Sequence, residues 1–310
     1  MKFPDRLAGI VPPLLTPLRA DFTVDEASLR RLVDEQIHAG VDALFMLGST
    51  GEAALLPDNA RSHVLRAAVD EARGRVPVLA GVIDMTTLRV LDHARRASDA
   101  GADAIVMTAP FYTRTHRAEI DFHFRYIAAH SDLPVMAYDL PISTGVKLDA
   151  ALLVQLGKDG VIAGVKDSSG DDAGLRKLVL AVRDAKLDKF SVLTGSELTV
   201  DSALAFGVDG CVPGLGNVDP AGYVRLYRAA REGRWADARR EQERLIRLFR
   251  IVDAAPLDRM GRGSSALGAF KAAVMLRGVI DSCVTAPPYL PLDQAEIAFV
   301  DQVLREVDLA

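Results

Sequence analysis

Cysteine is almost missing from this 310-residue chain, and its two copies, Cys211 and Cys283, lie far apart. That spacing excludes a disulfide framework and a paired-cysteine zinc motif, so a reducing compartment, the cytoplasm, is the expectation. An excess of basic residues is missing too. With a formal net charge of −5 there is no electrostatic pull toward nucleic acid or an anionic membrane, and small molecules are the expected ligands. No run reaches the ~18 apolar residues that a membrane-spanning helix needs. At the N-terminus, Pro12, Pro13 and Pro17 interrupt MKFPDRLAGIVPPLLTPL where an export signal would need a helical core, and no export signal is read.

Several chemical signatures are absent as well. His38, His63, His93, His116, His123 and His130 fall mostly in helical stretches with no HExxH pattern, so no metal is expected. Neither a GxGxxG fingerprint between strand and helix nor a Gly-Lys-Ser/Thr phosphate loop is found, which removes the signal for nicotinamide or nucleotide chemistry. A GxSxG elbow, the mark of one large class of serine hydrolases, is also missing.

What is present is an ordinary globular composition, 49% hydrophobic and 25% charged, arranged as short apolar runs alternating with stretches of helical period. Parallel strands covered on both faces by crossover helices leave that pattern. The strand candidates are 10–18, 43–49, 76–82, 104–110, 133–141, 161–169, 190–196 and 210–216. Eight strands close a barrel, and such barrels take up ~250 residues as one unit. The expected fold is therefore a (β/α)8 barrel over residues 1–232, with a three-helix extension over 233–310 assigned to packing or subunit contacts. Helix starts are read at Thr23 with Glu26 as a capping box, at Pro57 and Asp58, and at Asp149. Gly40, Gly101 and Gly207, each after a helix and just before an aspartate-containing turn, suit the left-handed position that ends a helix.

In a parallel barrel the reacting groups come from the C-terminal ends of strands and the loops after them. Lys166, in VIAGVKDSS, ends an apolar run where an ammonium is costly to bury. Desolvation favours the free amine, which can attack a carbonyl. A lysine there can equally reach out of the barrel mouth or pair with Asp139 or Asp167, and position alone leaves both readings open. Tyr138, in VMAYDLP, ends the preceding strand and can either relay protons beside Lys166 or merely cap the core. GSTGE (48–52) offers glycines for close backbone approach, and Ser49 and Thr50 as donors to a carboxylate, though such a loop is also an ordinary turn. Tyr112, in APFYT, reads in isolation as packing.

Taken in order, GSTGE, APFYT, YDLPISTG and GVKDSSGD resemble the dihydrodipicolinate synthase / N-acetylneuraminate lyase family over nearly the whole chain. The resemblance implies a class I aldolase in which Lys166 forms a Schiff base with pyruvate or another 2-oxo acid, with no separate cofactor, and Tyr138 relays protons. It implies that Ser49 and Thr50 hold the 2-oxo acid carboxylate and that Tyr112 reaches into a neighbouring subunit's site. Gly195 and Val212 would line the pocket near the imine, Ser168 would contact a sugar-acid substrate, and the assembly would be a homotetramer, a dimer of tight dimers.

Departures from the family pattern bear on the substrate. Where dihydrodipicolinate synthases usually carry an arginine for the aldehyde's carboxylate, this chain has Ser143, which cannot make a bidentate cationic contact. Asp139 stands where an asparagine is usual, and Leu198 beside Glu197 stands where sialic-acid lyases carry a glutamate. Ser143, Thr144, Ser168, Ser196 and Glu197 form a wall suited to a polyol chain. The expected reaction is cleavage or formation of the bond between pyruvate and an aldehyde in a 2-keto-3-deoxy sugar acid. The alternatives are 4-hydroxy-tetrahydrodipicolinate synthase, with Arg114 replacing the missing arginine, a sugar-acid dehydratase, and a catalytically silent regulator that binds a 2-oxo acid.

Overall fold

The structure, a computed structural model, describes residues 3–309. Its strands are β1 (Gly9–Ile10), β2 (Leu44–Met46), β3 (Val78–Gly81), β4 (Ala104–Thr108), β5 (Val135–Asp139), β6 (Gly164–Asp167), β7 (Ser191–Thr194) and β8 (Gly210–Cys211). All pairings are parallel, in the order β1-β8-β7-β6-β5-β4-β3-β2. Between β1 and β2 the Phe45 N–H donates to Pro12 O at 3.1 Å and the Leu14 N–H to Phe45 O at 2.9 Å, which brings the two ends of the sheet together. The result is the (β/α)8 barrel.

The helices are α1 (Glu26–Ala39), α2 (Asp58–Ala72), α3 (Thr87–Asp99), α4 (Arg117–Ala129), α5 (Pro141–Thr144), α6 (Ala150–Lys158), α7 (Asp172–Asp184), α8 (Val200–Phe206), α9 (Pro220–Arg231), α10 (Trp235–Phe249), α11 (Arg262–Leu276) and α12 (Gln294–Glu306). Two apolar layers follow from strands buried on both faces. The larger joins the outer strand faces to the helices. The smaller fills the barrel with Leu7, Val11, Ala43, Phe45, Leu79, Ala104, Val106, Met136, Tyr138, Leu193 and Val212.

Several local expectations need correction. The run 10–18 forms a strand only at its start, because Pro12, Pro13 and Pro17 have no N–H to give a ladder; isolated bridges at Pro13 and Leu18 are what remains. The end of 210–216 is a 3-10 turn at Gly214–Asn217 rather than strand. Helix α1 is capped by Asp25, which accepts from the Ser28 N–H, while Thr23 is held by Asp21 and takes no part in a capping box. Asp149 caps α6 as read, accepting from the Leu152 N–H. Gly40, Gly101 and Gly207 take φ of 90°, 81° and 107°, where a side chain would be strained.

Helices α10 and α11 pack back onto the barrel, and α12 lies against both of them. Helix α10 lies along α9, and α11 brings Lys271, fully buried, to Glu52 in the loop after β2. That pair ties the C-terminal segment to the barrel mouth.

Candidate active site

Register decides which side chains meet inside the mouth. Thr108 on β4 pairs with Tyr138 on β5, and Tyr138 with Lys166 on β6. Because side chains alternate along a strand, these partners share the interior face. Tyr138 is 3% exposed and meets Phe45 edge to face, ring centroids 6.2 Å apart. The Lys166 Nζ lies 4.2 Å from the Tyr138 ring centroid and 5.1 Å from that of Phe45, with the residue 6% exposed. Lys166 thus neither reaches out to solvent nor pairs with a carboxylate among the described residues.

The two aspartates that could have paired with it are engaged elsewhere. Asp139 and Asp167 are register partners one residue beyond Tyr138 and Lys166. Both bind Lys147, Asp167 at 2.9 Å. Burial pushes the Asp139 carboxyl up, against the pull of Lys147 and the Leu148 N–H. Burial works against the Lys147 ammonium, yet its hydrogen bonds to both aspartates outweigh that and raise its pKa. Nothing in the local sequence around Lys147 marks it; only the side-by-side register of two buried carboxylates calls for a cation.

Ser168 and Gly195 touch: a Cβ on Gly195 would fall 1.9 Å from the Ser168 Oγ, so a larger residue there would displace the serine hydroxyl. The Gly195 N–H donates to Asp167 O at 2.7 Å and the Ser168 N–H to Asp139 O at 2.9 Å. Val212, 3% exposed, belongs to the barrel interior. Glu197 turns inward, accepting the Gly214 N–H at 2.9 Å. Its carboxyl is pushed up by burial, against the pull of that N–H and of the Lys166 charge.

Ser49 and Thr50 follow β2. Thr50 and Glu197 both crowd Gly214, where an added Cβ would lie 3.4 Å from Thr50 Oγ1 and 3.1 Å from Glu197 Oε1. Their loop is fixed by Thr16 Oγ1, which donates to Gly51 O at 2.8 Å, and by Glu52, which takes Lys271 and the Ala286 N–H at 2.7 Å. A cavity of about 160 Å³ opens from Ser49 toward Thr108, Ser143, Thr144 and Tyr289, with Ile83, Leu55, Phe111 and Leu140 as its apolar wall. Thr108 Oγ1 is buried there without a hydrogen-bond partner. Among the described residues Glu52 is the charged side chain on the wall and no Lys or Arg lines it; Arg114 is exposed on the loop after β4. The larger concavity, at the opposite end of the barrel beside Phe3, Lys186 and Phe190, holds none of these groups.

Tyr112 stands apart. It is 93% exposed and holds φ of 66°, a conformation costly for a bulky side chain. The structure therefore brings Lys166, Tyr138, Ser168, Gly195 and Val212 together at one mouth, with Ser49, Thr50 and Ser143 around it, and leaves Tyr112 pointing away from the packed chain. Thr108, Lys147, Tyr289 and Lys271 were not signalled by any local motif. Among the described residues no three His, Cys, Asp or Glu side chains gather as a metal site, and no helix is long and apolar enough to cross a membrane.

This geometry sits in a well-populated set of relatives. The model of the dihydrodipicolinate synthetase family matches residues 6–307. A 4-hydroxy-tetrahydrodipicolinate synthase of Chlorobium limicola is 32% identical over 306 residues, 98% of each chain. YagE of Escherichia coli K12, provisionally named a 2-dehydro-3-deoxy-D-gluconate aldolase, is 33% identical over 302 residues, 97% of each chain. Its crystal structure in complex with pyruvate superimposes with a TM-score of 0.91 at 32% identity, covering 98% of this chain and 99% of that one. A dihydrodipicolinate synthase from Bacteroides thetaiotaomicron gives 0.91 at 31% identity, covering 99% and 100%.

Proposed function

The chain belongs to the dihydrodipicolinate synthetase family, and on that premise we propose that it is a pyruvate-dependent class I lyase acting through a Schiff base on Lys166, most suited to a 2-keto-3-deoxy sugar acid. The observation that carries this reading is the buried Lys166 amine, which makes no ion pair with a carboxylate among the described residues and lies against the Tyr138 ring. Relatives named as synthases of this family and a relative held with pyruvate support it.

In the cleavage direction the Lys166 amine adds to the substrate's C2 carbonyl and water leaves, giving an iminium that draws electrons. The Tyr138 oxygen takes the proton of the C4 hydroxyl as the C3–C4 bond breaks. An aldehyde departs, and the electron pair of the broken bond becomes an enamine on Lys166. Protonation at C3 and hydrolysis release pyruvate and restore the amine. Ser49 and Thr50 hold the 2-oxo acid carboxylate, Ser168 meets a substrate hydroxyl, and Gly195 and Val212 shape the space beside the imine. No metal or further cofactor takes part.

The substrate class rests on the cavity wall. Ser49, Thr108, Ser143, Thr144 and Tyr289 offer hydroxyls, and among the described residues no Lys or Arg lines the wall to fix a second carboxylate. A polyol chain suits that wall better than aspartate semialdehyde does. The synthase reading would need Arg114, which is exposed and off the wall. Release of free pyruvate from a sugar acid separates aldolase from dehydratase, and pyruvate binding without turnover of any sugar acid or aldehyde would point to a silent regulator.

Exposed Tyr112 fits a homotetramer of tight dimers in which it enters the neighbour's site. The free thiols Cys211 and Cys283 suit the cytoplasm. The deciding experiment is incubation with pyruvate and borohydride, a chelator being present, followed by peptide mapping. An adduct on Lys166 is expected; its absence, or an adduct elsewhere, overturns the assignment.

A further inference from the structure

Beyond the imine-forming pair, the structure holds a charged cluster whose geometry bears directly on that pair. Asp139 and Asp167 stand side by side across β5 and β6, each one residue beyond a reacting side chain. They are 0% and 4% exposed, so water screens their mutual repulsion poorly. Lys147, from the loop after α5, binds both.

The second oxygen of each carboxylate is also in use. Asp139 Oδ1 accepts the Leu148 N–H at 3.1 Å and Asp167 Oδ1 the Ser169 N–H at 2.8 Å. One ammonium therefore ties together two strand ends, the loop after α5, and the loop that carries Ser168.

We propose that Lys147 is a positioning residue: by bridging Asp139 and Asp167 it fixes the ends of β5 and β6, and with them the spacing of Tyr138 and Lys166. Alternation along the strand is what couples the two layers, since Asp139 and Asp167 point to the opposite face from their inward neighbours. Any splaying of the aspartates turns the strand ends on which Tyr138 and Lys166 sit. Small displacements suffice, because misplacing reacting groups by ~1 Å can cost about 100-fold in rate. The inference rests on Lys166 being the imine-forming residue.

Removing the cation alone leaves two buried carboxylates facing each other. Removing one carboxylate's charge as well leaves no repulsion to relieve. Lys147→Met should therefore slow chemistry, and Lys147→Met with Asp139→Asn should restore it.

The test follows the rate of borohydride-trapped pyruvate adduct on Lys166 at saturating pyruvate, with thermal midpoints measured in parallel. For Lys147→Met the trapping rate is expected to fall by about tenfold or more, and for the double variant to return to within about threefold of the unaltered protein. Should Lys147→Met not fold, Lys147→Gln, which keeps a donor and removes the charge, carries the same expectation and the same rescue. An unchanged trapping rate in the single variant overturns the proposal. So does a double variant that regains its thermal midpoint without its rate, since that would make the cluster structural only. An unaltered protein that forms no adduct on Lys166 sinks the imine assignment itself, and with it any role for Lys147 in spacing the pair.

Discussion

Lys166 and Tyr138 face each other across neighbouring strands, the lysine Nζ 4.2 Å from the centroid of the tyrosine ring. The ring packs against the amine and Phe45 while the hydroxyl is the part able to move a proton. On the proposed mechanism, Tyr138→Phe keeps the packing and deletes the relay. Its kcat should fall by about 100-fold or more with a thermal midpoint close to that of the unaltered protein, the usual size of one lost acid–base group. A fall in stability equal to the fall in rate would instead make Tyr138 a core residue.

Glu52 and Lys271 make a different prediction. Lys271 is 0% exposed, donates to Val284 O at 2.7 Å and pairs with Glu52, and burial lowers its pKa despite that partner. Lys271→Met leaves the Glu52 carboxylate buried without a cation, which should cost about 3–5 kcal/mol. Lys271→Met with Glu52→Gln should recover most of that, because glutamine still accepts the Ala286 N–H. Urea unfolding midpoints of the three proteins decide it. Equal losses in the single and double variants would mean that packing around residue 271, not the charge, is what matters.

How far these features could be read from the sequence follows from how local each one is. The barrel was legible because every strand is a short apolar run followed by its own helix; Lys166 and Tyr138 end two such runs, but that position left their roles open and only the family resemblance singled them out. Register then does the rest: it is a consequence of the closed sheet. Residues 10–18 are apolar enough to suggest a strand throughout, but the ladder needs the N–H groups that Pro12, Pro13 and Pro17 lack. Thr23 misled because Asp25, two residues nearer the helix, caps it better. Lys147 and Lys271 were illegible for another reason. Their partners are set by the fold, Asp167 by the packing of β6 on β5 and Glu52 by the return of α11 to the mouth.

His123 gives a pH dependence. It is 1% exposed, contacts Thr87 through Nδ1 at 2.9 Å, and burial pulls its pKa down from 6.5 to about 4. A histidine depressed in the folded state contributes stability that is fully present above 6.5 and is lost as pH falls toward about 4, because only the unfolded chain takes up the proton in that window. The loss should total about 3 kcal/mol at 1.36 kcal/mol per pH unit. His123→Phe should be less stable at neutral pH and show a flatter decline between those values. A decline of the same steepness in both proteins would assign the acid sensitivity to other groups.

Tyr112 separates stability from function most sharply. At φ of 66° and 93% exposure it holds a left-handed backbone and packs against little of its own chain. Glycine adopts that backbone freely, so Tyr112→Gly should leave the chain as stable as before or about 1 kcal/mol more so. If the side chain enters a neighbouring subunit's site, the same substitution should nevertheless lower kcat by about tenfold or more, the scale of a lost proton-transfer or positioning contact. Sedimentation in parallel reports whether the assembly survives. Retained turnover in the glycine variant would remove Tyr112 from the machinery and leave its strained backbone a property of the loop. Lost turnover with an intact or higher unfolding midpoint, and with the assembly retained, is the outcome expected of a side chain that is 93% exposed on its own chain and acts across a subunit boundary.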